Sequence, residues 1–283
     1  MFKYLSDTNI NNVLKNGSLR FTQPSFFNDP FETQVHTKSL EDVQKAEDFF
    51  KENSETLINK ELDNLNLPPV FEKIVRQNIN IEQSSELLKS IISNPIFKEV
   101  SKIEFNKSIN ENIGILSLTT NNKNLLMWAH YANSHKSICI EFDKSHKFFN
   151  QKKSEKDSLR HLAQVQYQNE RPSLYLSEYN EFDVFLTKSN HWEYEEEYRM
   201  LMPLKNADKK INNGFEDIYL FNFPKDSLKA IYLGTKISDE NKNEVINFIQ
   251  NDKDYNHVEI FETKISDEIY DLEFTKLDIR QTI

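Results

Sequence analysis

The chain has 283 residues, 37% of them apolar, and its 21 Phe, 11 Tyr and 2 Trp supply the large side chains of a folded core, each burying roughly 150–250 Å² when enclosed. With 35 Lys and Arg against 45 Asp and Glu the net charge is −10, so the surface repels phosphate backbones and no general nucleic-acid binding is expected. Four scattered glycines, Gly17, Gly114, Gly214 and Gly234, exclude a glycine-rich phosphate loop, and the single Cys139 excludes an intrachain disulfide and a cysteine-based zinc site. A lone cysteine, a start without an apolar run and no stretch approaching ~18 apolar residues give the expectation of a cytoplasmic protein with no membrane partner.

In chain order, Phe2 to Leu5 reads as a short strand. Asp7 or Thr8 can cap a helix with apolar positions Ile10, Val13 and Leu14, and Gly17 stands where that helix ends. Ser18 to Thr22 alternates as a strand, and Pro24 to Pro30 is a loop held by its aromatics. From Leu40 to about Phe105 apolar residues recur at three- and four-residue steps, punctuated by Pro68-Pro69 and Pro95, which predicts a block of helices. A strand (Ile113 to Thr119), a helix (Lys123 to Ala132) and a strand (Ser137 to Phe142) follow. Phe148 to Arg160 reads as a connection, Ala163 to Tyr167 as a strand and Phe182 to Leu186 as a helix. Strands are expected at Glu197 to Met202, Ile218 to Phe223, Ala230 to Leu233, Val258 to Phe261 and Ile269 to Phe274, with a helix at Asp239 to Ile249. The fold class is α+β, a mixed or antiparallel β core in one domain (1–283) with an all-helical insertion at 39–110.

The densest candidate for chemistry is His191 to Arg199, where Glu193, Glu195, Glu196 and Glu197 crowd around Trp192, Tyr194 and Tyr198 beside Arg199. Strand alternation would put Glu195 and Glu197 on one face, and like charges so close need a cation or a substrate hydroxyl to offset them. The same text also describes a solvated acidic edge. Ser117 and Thr119 share a strand face. Asn28 and Asp29, framed by Phe26, Phe27 and Phe31, suit either a structural turn or a wall for a flat heterocycle. Trp128, His130 and Tyr131 lie on a helix with His135 just beyond. The five-residue step from His130 to His135 does not fit a zinc pair on one helical face, and no metal is expected.

Phe27-Asn28-Asp29-Pro30-Phe31-Glu32, Met127-Trp128-Ala129-His130-Tyr131 with His135 and Ile138-Cys139-Ile140, and Trp192-x-Tyr194-Glu195-x-Glu197-Tyr198-Arg199 together resemble a widespread bacterial family of domains of unknown function, whose members occur near mobile elements and phage-defence genes. Ser137 departs from that pattern, which has glycine before the Ile-Cys-Ile strand. More distantly, a first strand carrying Lys3 and Tyr4, then Ser117-x-Thr119, then Glu195-x-Glu197 on a late strand resembles the ordered signature of ADP-ribosyltransferase folds. That resemblance implies an enzyme consuming NAD as substrate, either an ADP-ribosyltransferase or an NAD glycohydrolase, working in anti-phage defence or as a toxin on a macromolecular acceptor. It implies Glu197 and Glu195 as catalytic residues. Lys3, Tyr4, Ser117, Thr119, Asn28, Asp29, Trp128, Tyr131, His130 and Arg199 would bind the NAD. Cleavage of the nicotinamide bond develops positive charge on the ribose, which Glu197 would stabilise while Glu195 handles the acceptor's proton. Two other functions stay open on the residues alone. One is a non-catalytic nucleotide-sensing or protein-binding module in a defence system. The other is a Mg²⁺-dependent nuclease, which requires Asp29, Glu141 and Glu197 to converge.

Overall fold

The computed structural model describes residues 1–32, 43–171 and 183–279. It opens with β1 (Phe2–Leu5), α1 (Asp7–Asn16) and β2 (Ser18–Phe21), with Ser6 in the N-cap place and Gly17 ending the helix at φ 59°, in the left-handed region that glycine tolerates. The helix thus starts one residue earlier than a cap at Asp7 implies. Four helices follow: α2 (Val43–Leu65), α3 (Pro69–Asn78), α4 (Ile81–Ser93) and α5 (Pro95–Asn112). Pro69 and Pro95 open their helices, where a missing N–H has no intrahelical partner to lose. Residues 39–42 of the expected helical block lie outside the described residues.

Next come β3 (Ile113–Thr119), α6 (Leu125–Tyr131), β4 (Ile138–Phe142), β5 (Leu162–Gln164), β6 (Gln166–Gln168), β7 (Thr187–Ser189) and β8 (Glu197–Pro203). The expected strand at Ala163 to Tyr167 is therefore two: Val165 still follows the β5–β8 register, its N–H on Glu197 O at 2.9 Å, and from Gln166, whose N–H bonds Leu186 O at 2.7 Å, the chain pairs with β7 instead. The expected helix at Phe182 to Leu186 is a 3-10 turn over Asp183–Phe185, with Phe182 outside the described residues. The chain closes with β9 (Lys209–Asn212), β10 (Asp217–Asn222), β11 (Leu228–Leu233), α7 (Asp239–Asn251), β12 (Glu259–Ile265) and β13 (Leu272–Lys276).

The architecture is α+β, and the chain divides into two compact units. The first comprises Met1–Glu32, Ile109–Asn169 and Leu186–Ile283, and the second Thr33–Ser108 with Glu170–Phe185. The second is built on α2, α3, α4 and most of α5. The first is organised on an eight-stranded sheet in the order β13-β12-β11-β4-β1-β3-β8-β5, antiparallel throughout except for the parallel β11–β12 pair. Three smaller strands, β2-β10-β9, form a separate antiparallel sheet, and β6 pairs with β7 in parallel.

Period-two alternation explains how the sheet buries both faces. On β4, Ile138, Ile140 and Phe142 enter one core with Ile10, Val13 and Leu14 of α1 and Val245 and Ile249 of α7. Cys139 points the other way, into a cluster with Tyr4, Met127, Trp128 and Tyr232. Each such apolar side chain stabilises the fold by roughly 1.5–3 kcal/mol. Strand β8 alternates between chemistries: Met200 and Met202 join the first core, while Glu197 and Arg199, also buried, take the opposite face. Among the described residues no helix is long and apolar enough to cross a membrane.

A turn of three left-handed residues, Asn133, Ser134 and His135 (φ 46°, 54° and 68°), leads from α6 into β4. Gly234 packs against it, donating its N–H to Ser137 O at 2.8 Å. A β-carbon there would stand 2.2 Å from His135 O and 2.7 Å from Ser137 O. Both are backbone atoms and cannot rotate aside, so Gly234→Ala is expected to lower stability by about 1–3 kcal/mol, read as a drop in the urea midpoint at unchanged m.

Candidate functional site

Strands β1, β3 and β8 lie close together in the sheet, with Phe2 opposite Thr119 and Thr119 opposite Glu197. Their side chains, with α6 and the loop after β2, enclose a cleft of about 370 Å³. Lys3 and Tyr4 line it from β1, Ser117 and Thr119 from β3, and His130 and Tyr131 from α6. Phe26, Phe27 and Asn28 close it from the loop, and Lys188, Glu195 and Glu197 form its acidic end.

That acidic end is a cage of buried charge. Lys188 Nζ bonds Glu195 Oε2 at 2.6 Å and Glu197 Oε2 at 3.1 Å, and lies 3.7 Å from Glu32 Oε1. Arg199, fully buried, donates through Nε to Glu197 Oε1 (2.9 Å) and through Nη2 to Glu197 Oε2 (3.0 Å), and pairs with Glu32. The guanidinium lies over the Phe27 ring at 5.3 Å, and the Lys188 ammonium over Trp192 at 5.0 Å.

Local structure brings these groups together. Glu195 ends a 3-10 turn (Asn190–Glu195), Glu196 takes a left-handed conformation (φ 45°), and the strand begins only at Glu197. The two acids are thus not neighbours on one strand face; they stand on either side of a corner and converge on Lys188. Glu196 holds that corner, accepting bonds from Thr120 Oγ1 (2.5 Å) and Asn121 Nδ2 (3.1 Å). Tyr167, beside Lys188 in the β6–β7 register, accepts the Glu197 N–H at 2.8 Å.

The three sequence motifs meet in a hydrogen-bond chain, in which Asn28 Nδ2 donates to Tyr131 Oη (3.2 Å) and Tyr131 Oη donates to Glu195 Oε1 (2.7 Å). Burial, and then the charge of Glu195, raise the Tyr131 hydroxyl above its ordinary value. Burial pushes the Glu197 carboxyl up against the pull of Lys188. For Lys188 burial works downward, but the charges of Glu197 and Glu195 overcome it and raise the ammonium. Burial draws Lys3 down to about 8, opposed by Glu197 and assisted by Arg20.

With this geometry in view, a family model covers its centre. The model described as a protein of unknown function, DUF2971, matches residues 127–200. No curated protein and no solved structure matches the chain. The matched segment runs from Met127 within α6 to Met200 on β8, and so contains Tyr131, Lys188, Glu195, Glu197 and Arg199.

Of the residues singled out in the sequence, Lys3, Tyr4, Ser117, Thr119, Asn28, His130, Tyr131, Glu195 and Glu197 line the cleft. Three do not. Trp128 is fully buried, donates to Asn122 O (2.8 Å), and packs edge-on against Tyr4 and face-on against His135. It belongs to the core and cannot stack a ligand. Asp29 closes its own turn by accepting the Phe31 N–H (2.9 Å), and its charge supports Arg199. Arg199 itself is spent on Glu32 and Glu197. The residues not foreseen are Lys188 and Glu32. Of the three outcomes the clustered carboxylates left open, a cation, a substrate hydroxyl or a solvated edge, Glu195 and Glu197 take the first, with Lys188 folded back onto them across a 3-10 turn. Among the described residues no group of three His, Cys, Asp or Glu is placed to hold a metal ion. Glu141 instead pairs with Lys229 and Tyr232.

Proposed function

We propose that the chain consumes NAD, breaking the bond between nicotinamide and ribose and passing ADP-ribose to water or to a macromolecular acceptor. The observation that carries this reading is the meeting of Lys3, Ser117, Thr119 and Glu197 from three closely placed strands in one cleft, with Glu195 beside them. This is the order of positions that the resemblance to ADP-ribosyltransferase folds implies. As nicotinamide leaves with the bonding pair, the ribose gains oxocarbenium character. The charge of Glu197, held by Lys188 and Arg199, then opposes it without reorganisation. Glu195 takes the proton of the attacking hydroxyl, with Tyr131 as its hydrogen-bond partner. Phe26 and Phe27 supply ring surface in the cleft, and Lys3 supplies positive charge for the diphosphate. The setting on this reading is a bacterial cytoplasm, in anti-phage defence or as a toxin.

A second reading, a nucleotide-sensing module without turnover, is favoured by one fact: each oxygen of Glu197 already accepts from a cation. One experiment separates the two. Purified protein is incubated with NAD⁺, with and without cell lysate, following nicotinamide release and labelled ADP-ribose. Release supports the enzyme, and retained label distinguishes transferase from hydrolase. A rise in melting temperature with NAD⁺ but no release supports the module. The absence of both release and a shift removes both readings.

A further inference from the structure

Lys3 and Lys188 line the same cleft in opposite surroundings. Lys188 lies against three carboxylates. Lys3 Nζ donates to one backbone carbonyl, Ser117 O at 3.1 Å, and has no carboxylate within ion-pair distance among the described residues. The charged groups that act on it are already engaged: Glu197 of β8 by Lys188 and Arg199, and Arg20 of β2 by Glu216. An ammonium that exchanges water for a single carbonyl loses its proton more readily, in keeping with its value of about 8. Lysines in such desolvated positions near a second cation serve as nucleophiles.

We propose that Lys3 is a nucleophilic amine that condenses with an aldehyde or ketone admitted to the cleft, forming an imine. The nitrogen lone pair forms the C–N bond as the carbonyl π pair moves to oxygen, and a proton passes from nitrogen to that oxygen. The carbinolamine then loses its hydroxyl together with the remaining nitrogen proton as water, leaving C=N. No oxidant or cofactor enters. The inference does not rest on NAD consumption, since it needs only the cleft and the amine.

The test is reductive alkylation of the full chain with glyceraldehyde and cyanoborohydride, read by peptide mass spectrometry. Fragment ions separate label on Lys3 from label on the α-amino group. At pH 7 an amine titrating near 8 is deprotonated far more often than one near 10.4, so Lys3 is expected to label about tenfold or more faster than exposed lysines. Its rate should level off above pH 8 to 9. Lys3→Arg, which keeps the charge, should lose the label at residue 3 while the melting temperature holds. Labelling no faster than that of exposed lysines, or a rate still climbing beyond pH 10, overturns the proposal; both are read on the unmutated chain. Selective labelling without nicotinamide release upholds the amine and removes only the NAD reading.

Discussion

Lys188→Met, which keeps the length of the side chain and removes its charge, is expected to lower stability by about 3–5 kcal/mol at pH 7 in urea unfolding. The lysine sits against Glu32, Glu195 and Glu197, all buried, and breaking a buried pair from one side leaves the other side's charge uncompensated. The pH dependence gives a second check. Because the folded-state value of Lys188 is raised above the unfolded one, its stabilising contribution is complete below the unfolded value near 10.4 and fades as pH rises through the folded value. The gap between wild type and variant should therefore be widest at neutral pH and close in strong alkali. A variant as stable as wild type at pH 7 would mean that the cage is solvated and its charges are not a structural unit.

Glu195→Gln should reduce nicotinamide release by about 10²–10⁴-fold, the usual effect of removing one positioned general base, with a small change in melting temperature. The amide oxygen can turn to Lys188 and the amide NH2 to Tyr131 Oη, and Lys188 keeps Glu197 and Glu32. Glu197→Gln should lose both activity and stability, because Arg199 makes two of its hydrogen bonds to that carboxylate. The isosteric change at Glu197 is thus the confounded probe of catalysis. Full release by Glu195→Gln would take that residue out of the chemistry.

Much of the fold could be read from local pattern. Gly17 after Val13 and Leu14, the alternation of Ile138, Cys139, Ile140 and Phe142, and the prolines opening α3 and α5 are signals carried by neighbouring residues, and the elements form where those signals lie. The departures come where a distant partner decides. Past Val165 the expected strand exchanges its partner β8 for β7, a pairing fixed by residues about twenty positions away. Strand β9, exposed along its whole length, carries no alternation and forms by pairing with β10. At the site, the crowding of the glutamates was legible, but not that a cation rather than a substrate hydroxyl or water answers it at Glu195 and Glu197. Lys188 joins through a parallel strand of three residues and a 3-10 turn, neither of which has a strong sequence signature. The indole of Trp128 looked like a ligand platform because composition does not reveal which side of a short helix faces the core.

Connectivity gives the ion cage one more property. Glu32 is the last residue before the chain first enters the second unit, and Lys188 comes just after the chain returns, at Leu186, from its second excursion there. Two members of one buried cage, an anion and the cation it shares with Glu195 and Glu197, thus stand at two different crossings of the chain. Loop-closure cost grows only with the logarithm of length, so either excursion can be lengthened at little cost to the closure of the cage that its end residue joins.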